Sequence, residues 1–281
     1  MISNDEYNNK NISRSIKLQK DPTIAFNQVT HTYEGKYSKK FAISNLDFKI
    51  FSGEFVTIIG PSGCGKTTIL NLIAGLLSPT NGDIYVDNVP PNNLLSKKSI
   101  GMVFQSPAIL PWLNVFQNLL LPLQINPSND NGSDNESLAG DILSIIQMED
   151  YADFYPHQLS GGMKQRVGVG MSLIFDPKIL LLDEPLGSLD EITRSYMRFD
   201  LINMLRNRNK TIVMVTHSIE DAVLMSDRII ILSKSPGTFS TEIKLDFSSK
   251  RTHDLEYQSE FLSYVNQVKK SLSIAYDFKF R

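Results

Sequence analysis

The chain has 281 residues, 41% hydrophobic and 21% charged, with 28 basic side chains against 30 acidic ones for a formal net charge of -2. That length can bury a sizeable core, and the near-neutral balance gives no general basic field, so no nucleic-acid partner is expected. The lone cysteine, Cys64, excludes an internal disulfide, while the absence of any apolar run long enough to span a bilayer or resemble a signal peptide predicts a cytoplasmic protein whose membrane role, if any, works through a partner.

In chain order, residues 1–22 are rich in Asn, Ser and Lys and are expected to form a disordered tail, because they offer too little apolar area to offset the entropy of folding. Residues 24–29, 41–50, 55–59, 84–86 and 100–104 are expected strands, separated by turn signals such as Ser52-Gly53 and Asn81-Gly82. Helical periodicity is clearest over 67–77, 163–175 and 192–205, whereas 179–182, 212–215 and 229–232 are short, apolar and suited to strands buried on both faces. This alternation predicts an α/β fold with a largely parallel sheet. The polar stretch 126–137 reads as an exposed loop or insertion. Near the end, Phe261, Leu262, Val265, Val268 and Leu272 recur at three and four residues, the pattern of a helix docked on the domain or, alternatively, of one that binds a partner.

Gly60-Pro61-Ser62-Gly63-Cys64-Gly65-Lys66-Thr67 fits G-x-x-x-x-G-K-[ST] between an expected strand and an expected helix. Glycines let backbone N–H groups close around phosphate oxygens, the helix start adds partial positive charge, Lys66 reaches the terminal phosphates and the Thr67 hydroxyl can ligate Mg²⁺. Thr68, next along the helix, joins the nucleotide-binding set. Cys64 is expected to be an inert small residue, although an amide-lined helix start would lower its pKa. The strand at 179–182 runs into Asp183-Glu184-Pro185. Two carboxylates at a strand tip suit phosphate chemistry, with Asp183 in the Mg²⁺ shell and Glu184 polarising an attacking water. Leu159-Ser160-Gly161-Gly162-Met163-Lys164-Gln165-Arg166 opens a helix, with Ser160 as a fitting N-cap and Gly161 and Gly162 leaving amides accessible to an anion. A second phosphate-binding helix start so far from the first makes sense if it closes over nucleotide held by another copy.

With its L-S-G-G signature, the chain resembles the ATP-binding cassette (ABC) ATPases from about Ile24 to Ser235. The resemblance implies a P-loop NTPase core: a mostly parallel sheet with flanking helices, an antiparallel β part, and a helical subdomain over about 107–177 that carries the signature. The ATPase domain would run over 23–240 and a strand and helix extension over 241–281. It implies ATP and Mg²⁺ as ligands and a head-to-tail dimer in which Ser160, Gly161 and Gly162 of each copy meet the γ-phosphate held by the other. Tyr33 would stack on adenine, with Tyr37 as the fallback. Gln105 would reach Mg²⁺ and the attacking water, Asp190 would lie in the loop that crosses the dimer interface, and His217 would contact the γ-phosphate. Glu184 would be the general base. Where many relatives carry A-R-A-L, this chain has Gly170-Met171-Ser172-Leu173, with Met171 at the Arg position, which implies altered packing or salt bridging rather than a lost phosphate contact.

Within the family, Leu110-Pro111-Trp112 and Leu189-Asp190-Glu191-Ile192-Thr193-Arg194 resemble the nitrate, sulfonate, taurine and pyrimidine-precursor importer ATPases. That likeness implies a peripheral subunit on the cytoplasmic face of the inner membrane, attached to transmembrane permease subunits and through them to a solute-binding protein. Trp112 would sit at the membrane partner's docking surface or, alternatively, in the core. The competing expectation is a soluble regulator that uses the same clamp on a protein or nucleic acid.

Overall fold

A computed structural model of the chain describes residues 21–34, 39–127, 134–206, 208–247 and 251–276. Residues 1–20 of the expected tail, Tyr37, and residues 128–133 of the polar stretch lie outside them. Three strands, β1 (Pro22–Glu34), β2 (Lys39–Phe51) and β4 (Asn81–Val86), form an antiparallel sheet in the order β2-β1-β4. A six-stranded sheet has the order β5-β6-β7-β3-β8-β9, from β5 (Ile100–Val103), β6 (Ile179–Asp183), β7 (Thr211–Val215), β3 (Phe55–Ile59), β8 (Arg228–Leu232) and β9 (Phe239–Lys244). Its first five strands are parallel, and β9 runs antiparallel to β8 across residue 240, the boundary expected for the extension.

The central strands are mostly apolar because both faces are covered, one by helices and the other by the helix at residues 66–73 and the three-stranded sheet: every residue of β3, β7 and β8 is buried. Helices α1 (Lys66–Ile73), α2 (Val115–Ile125), α3 (Asn135–Ile145), α4 (Gly161–Leu173), α5 (Glu191–Arg206), α6 (Ile219–Met225) and α7 (Ser259–Ala275) complete the fold. Of the apolar positions expected on one face of the last helix, Phe261, Val265 and Val268 are buried in the core and Leu272 packs against it, whereas Leu262 is exposed.

Two expectations need correction. Helix α1 stops at Ile73 rather than near Leu77 because Gly75 takes a left-handed conformation (φ 75°) and the Leu76 amide turns back to the Asn71 carbonyl at 2.9 Å. The polar stretch is not loop to its end. Asp134 caps α3 by accepting from the Glu136 amide at 3.0 Å, so the run of polar residues conceals a helix start.

Candidate functional site

Parallel strands deliver their following loops to one edge of the sheet, and the expected site residues arrive there from four neighbouring strands. Residues 60–67 follow β3, Glu184 follows Asp183 at the end of β6, Gln105 follows β5, and His217 follows β7. A crevice outside the carboxyl ends of parallel strands is the usual binding place in such sheets.

The loop between β3 and α1 is shaped for an anion. No side chain caps α1 and no acidic residue occupies its first turn, so its leading amides remain available to a phosphate. Gly65 has φ 94°, and a Cβ there would lie 2.5 Å from Ile43 Cγ2 and 2.8 Å from the Ala42 carbonyl, so only glycine lets the loop pass so close to β2. Lys66 is buried, and its Nζ donates to the carbonyls of Gly60 (3.0 Å) and Pro61 (3.1 Å), which holds the ammonium within the loop. Cys64 within this loop is fully buried, and burial pushes its thiol pKa up. That corrects the expected lowering: loss of water outweighs the pull of Lys66 and the amides.

A cleft of about 320 Å³ opens above the loop, lined by Ser62, Gly63, Gly65, Lys66, Thr67 and Thr68 together with Tyr33, Lys40, Ala42 and Glu184. Tyr33 is positioned by a 3.1 Å hydrogen bond between its hydroxyl and Thr68 Oγ1, and by edge-on contact with His31. Lys40 escaped the sequence reading because its place in the cleft depends on strand pairing: it sits opposite Tyr33 in the β1–β2 register.

On the sheet side, Thr67 Oγ1 donates to Asp183 Oδ1 at 3.2 Å. Burial raises the Asp183 pKa, and the neighbouring Glu184 charge adds to the rise, against the lowering pull of Thr67 and Lys66. Glu184 leaves the strand with φ 46°, a left-handed conformation that turns its carboxylate away from the direction of Asp183. One oxygen, Oε2, then meets both Gln105 Nε2 (3.3 Å) and His217 Nδ1 (3.0 Å). Residues from two strand ends thus converge on the carboxylate carried by a third.

Ser160, Gly161 and Gly162 lie elsewhere. Ser160 Oγ accepts from the Met163 amide at 3.3 Å and caps α4, as expected. Ser160 and Gly162 line a separate cleft of about 350 Å³ with Tyr151, Met163, Arg166 and Tyr196. Asp190 is spent locally, its Oδ1 accepting from the Thr193 amide at 3.0 Å, and that amide holds its carboxyl below the ordinary range.

Trp112 is 67% exposed, which removes the core alternative. Beside its loop lies an apolar cleft of about 250 Å³ whose lining includes Phe104, Pro107, Gly168 and Met171. The expected change of packing at the A-R-A-L departure is concrete. A Cβ at Gly170 would come within 2.8 Å of Leu119 Cδ2 and 2.9 Å of Ile142 Cγ2, so glycine lets α4 approach α2 and α3 closely.

A family model described as ABC transporter matches residues 43–187. An uncharacterized ABC transporter ATP-binding protein of Methanocaldococcus jannaschii is 35% identical over 251 residues, covering 87% of this chain and 92% of the relative. The taurine import ATP-binding protein of Yersinia pestis (strain Antiqua) is 39% identical over 218 residues, 76% of this chain and 83% of the relative. A solved dimeric ATP-binding cassette in a post-hydrolysis state, bound to ADP and Pi, superposes with a TM-score of 0.69 at 35% identity, over 80% of this chain and 99% of that one.

Proposed function

The chain belongs to the ABC transporter ATPase family, whose members hydrolyse ATP, and from that premise we propose that it powers a membrane importer of a small solute of the nitrate, sulfonate and taurine class. The carrying observation for the chemistry is the shared Glu184 oxygen, held by Gln105 and His217 beside the phosphate-binding loop.

In this reading the amides of residues 60–67, Lys66, Thr67 and Thr68 hold the phosphates while Tyr33 stacks on adenine. Glu184 takes the proton of the attacking water. His217 and Gln105 keep its carboxylate aimed and do not need to move to do so. The donor set of Thr67 and Asp183, already in hydrogen-bond contact, with Gln105 nearby, fits a hard oxygen-seeking cation. Mg²⁺ bound there would neutralise charge on the phosphates.

The separation of Ser160 and Gly162 from the phosphate cleft supports their service to a second copy. So does the dimeric state of the similar cassette. In a head-to-tail dimer Gly161 would follow them to the opposite nucleotide, and Asp190 would lie at the crossing. We read residues 23–240 as the ATPase domain, with a helical subdomain at about 107–177, and 241–281 as an extension. The exposed Trp112 and its neighbouring apolar cleft suit the docking of transmembrane permease subunits, through which a solute-binding protein would be served. That assembly places the chain at the cytoplasmic face of the inner membrane. No described helix is long and apolar enough to cross a membrane. The likeness to taurine import ATP-binding proteins supports the importer class.

Removal of the general base tests the chemistry. Glu184→Gln is expected to bind ATP with near-native affinity, to hydrolyse it roughly 10²–10⁴-fold more slowly, and to accumulate as a dimer in ATP by size-exclusion chromatography. Near-native turnover would overturn the assignment.

A further inference from the structure

His217 precedes α6, a seven-residue helix too short to hold its own shape. Both ends of α6 are tied down from outside. In its first turn, Asp221 is 4% exposed and accepts from Arg198 Nε at 2.5 Å. Arg198, on α5, is itself 5% exposed, and its other nitrogens donate to Glu256 (3.2 Å) and Glu191 (3.2 Å). At the far end, Arg251 donates to the carbonyls of Val223 (2.9 Å), Leu224 (2.7 Å) and Ser226, which the helix itself leaves without partners.

A buried guanidinium is tolerated only when its donors are met with good geometry. Arg198 meets this condition by joining three segments: the residue directly after Asp190, the helix directly after His217, and the chain beyond β9. Glu256 and Arg251 both belong to that last segment, outside the residues that the family model matches.

Resting on the reading of Glu184 and His217 as the hydrolytic pair, we propose that the segment after β9 is a positioning element for hydrolysis, in which Glu256, through Arg198 and Asp221, and Arg251, through the end of α6, fix how His217 meets Glu184. Glu256 and Arg251 touch no expected nucleotide group. They are positioning residues that set the rate without setting ATP affinity.

The test uses the full chain with Glu256→Gln, Glu256→Asp and His217→Ala, alone and combined. Glu256 is only partly buried, so its replacement leaves the core in place. Glu256→Gln should lower kcat three- to tenfold with KM for ATP and the melting temperature unchanged, and Glu256→Asp should recover part of the loss. In the His217→Ala background, single-turnover hydrolysis should show no further loss from Glu256→Gln, because the two act through one geometry. A kcat within twofold of native for Glu256→Gln, or an equal loss on top of His217→Ala, would overturn the inference. If His217→Ala alone leaves kcat unchanged, the hydrolytic role of His217 fails first and the inference with it. A slow His217→Ala with a native Glu256→Gln overturns the inference alone.

Discussion

Glu184 and Asp183 are sequence neighbours with opposite constraints. Asp183 ends β6 half-buried beside Thr67, while a left-handed backbone turns Glu184 toward Gln105 and His217. Such a conformation costs of order 1 kcal/mol for a non-glycine residue, a strain that the surrounding contacts must hold. Burial raises the Asp183 pKa above the ordinary carboxylate value, so the folded protein holds that proton to higher pH than the unfolded chain does. The fold therefore gains from protonation at acid pH, and that gain is lost as pH rises through the shifted pKa. Asp183→Asn removes a desolvated charge and keeps the shape. It should leave the melting temperature at pH 7 without nucleotide equal or slightly higher, and abolish Mg²⁺-dependent hydrolysis; a large drop in stability would contradict this account. Both carboxylates were legible in the sequence because they end an apolar strand. The turn that separates their roles was not, because nothing in D-E-P states a backbone angle. The lowering of the Cys64 pKa failed for a related reason: a helix start suggests polarity, while only packing reveals that the thiol is sealed from water.

At the scale of elements, the helices that present the exposed surface depend on residues the sequence reading passed over. Asn118 of α2 is 1% exposed and serves the loop before its own helix. Its Nδ2 donates to the carbonyls of Leu110 (3.2 Å), Leu113 (3.0 Å) and Asn114 (2.9 Å), and its Oδ1 accepts from the Leu110 amide at 2.7 Å. It fixes the turn on which Trp112 stands. Asn118→Ala would leave the part-buried Leu110 amide and Leu113 carbonyl without these partners, at about 1–3 kcal/mol each. The melting temperature should fall by at least about 4 °C, while ATP affinity, measured by fluorescent-nucleotide titration, should stay native because Asn118 is not among the residues lining the phosphate cleft. Unchanged stability would show that the loop does not need it. An Asn inside an apolar run reads as a blemish in sequence, since its four contacts become visible only when the loop folds back. Glycines in α4 read as weaknesses for the same reason. Gly170 costs up to about 1 kcal/mol in helix propensity, yet the close approach of Leu119 and Ile142 uses the missing Cβ.

At the scale of the whole molecule, strand order does the assembling. β5, β6, β7 and β3 are neighbours, so loops far apart in sequence reach one cleft, and this much followed from motif order. The separate place of the second anion-binding helix start was also expected from its distance in sequence: Ser160 opens on a different cleft from the phosphate loop. In the proposed head-to-tail dimer these two clefts of one copy would serve as half-sites, and the exposed Trp112 would add a third surface. The α/β class and most strand positions were legible because buried parallel strands are written as unbroken apolar runs. The ties from Arg198 and Arg251 to the chain beyond β9 were not, because they join residues distant in sequence through charges that look like ordinary surface residues. The most direct test of the central claim is recovery of tagged Glu184→Gln protein from its native membranes in mild detergent with ATP, and identification by mass of what elutes with it. A polytopic membrane protein should co-elute in stoichiometric amount, and Trp112→Ala should weaken its recovery; a soluble homodimer alone, or one bound to a soluble partner, would contradict the importer reading.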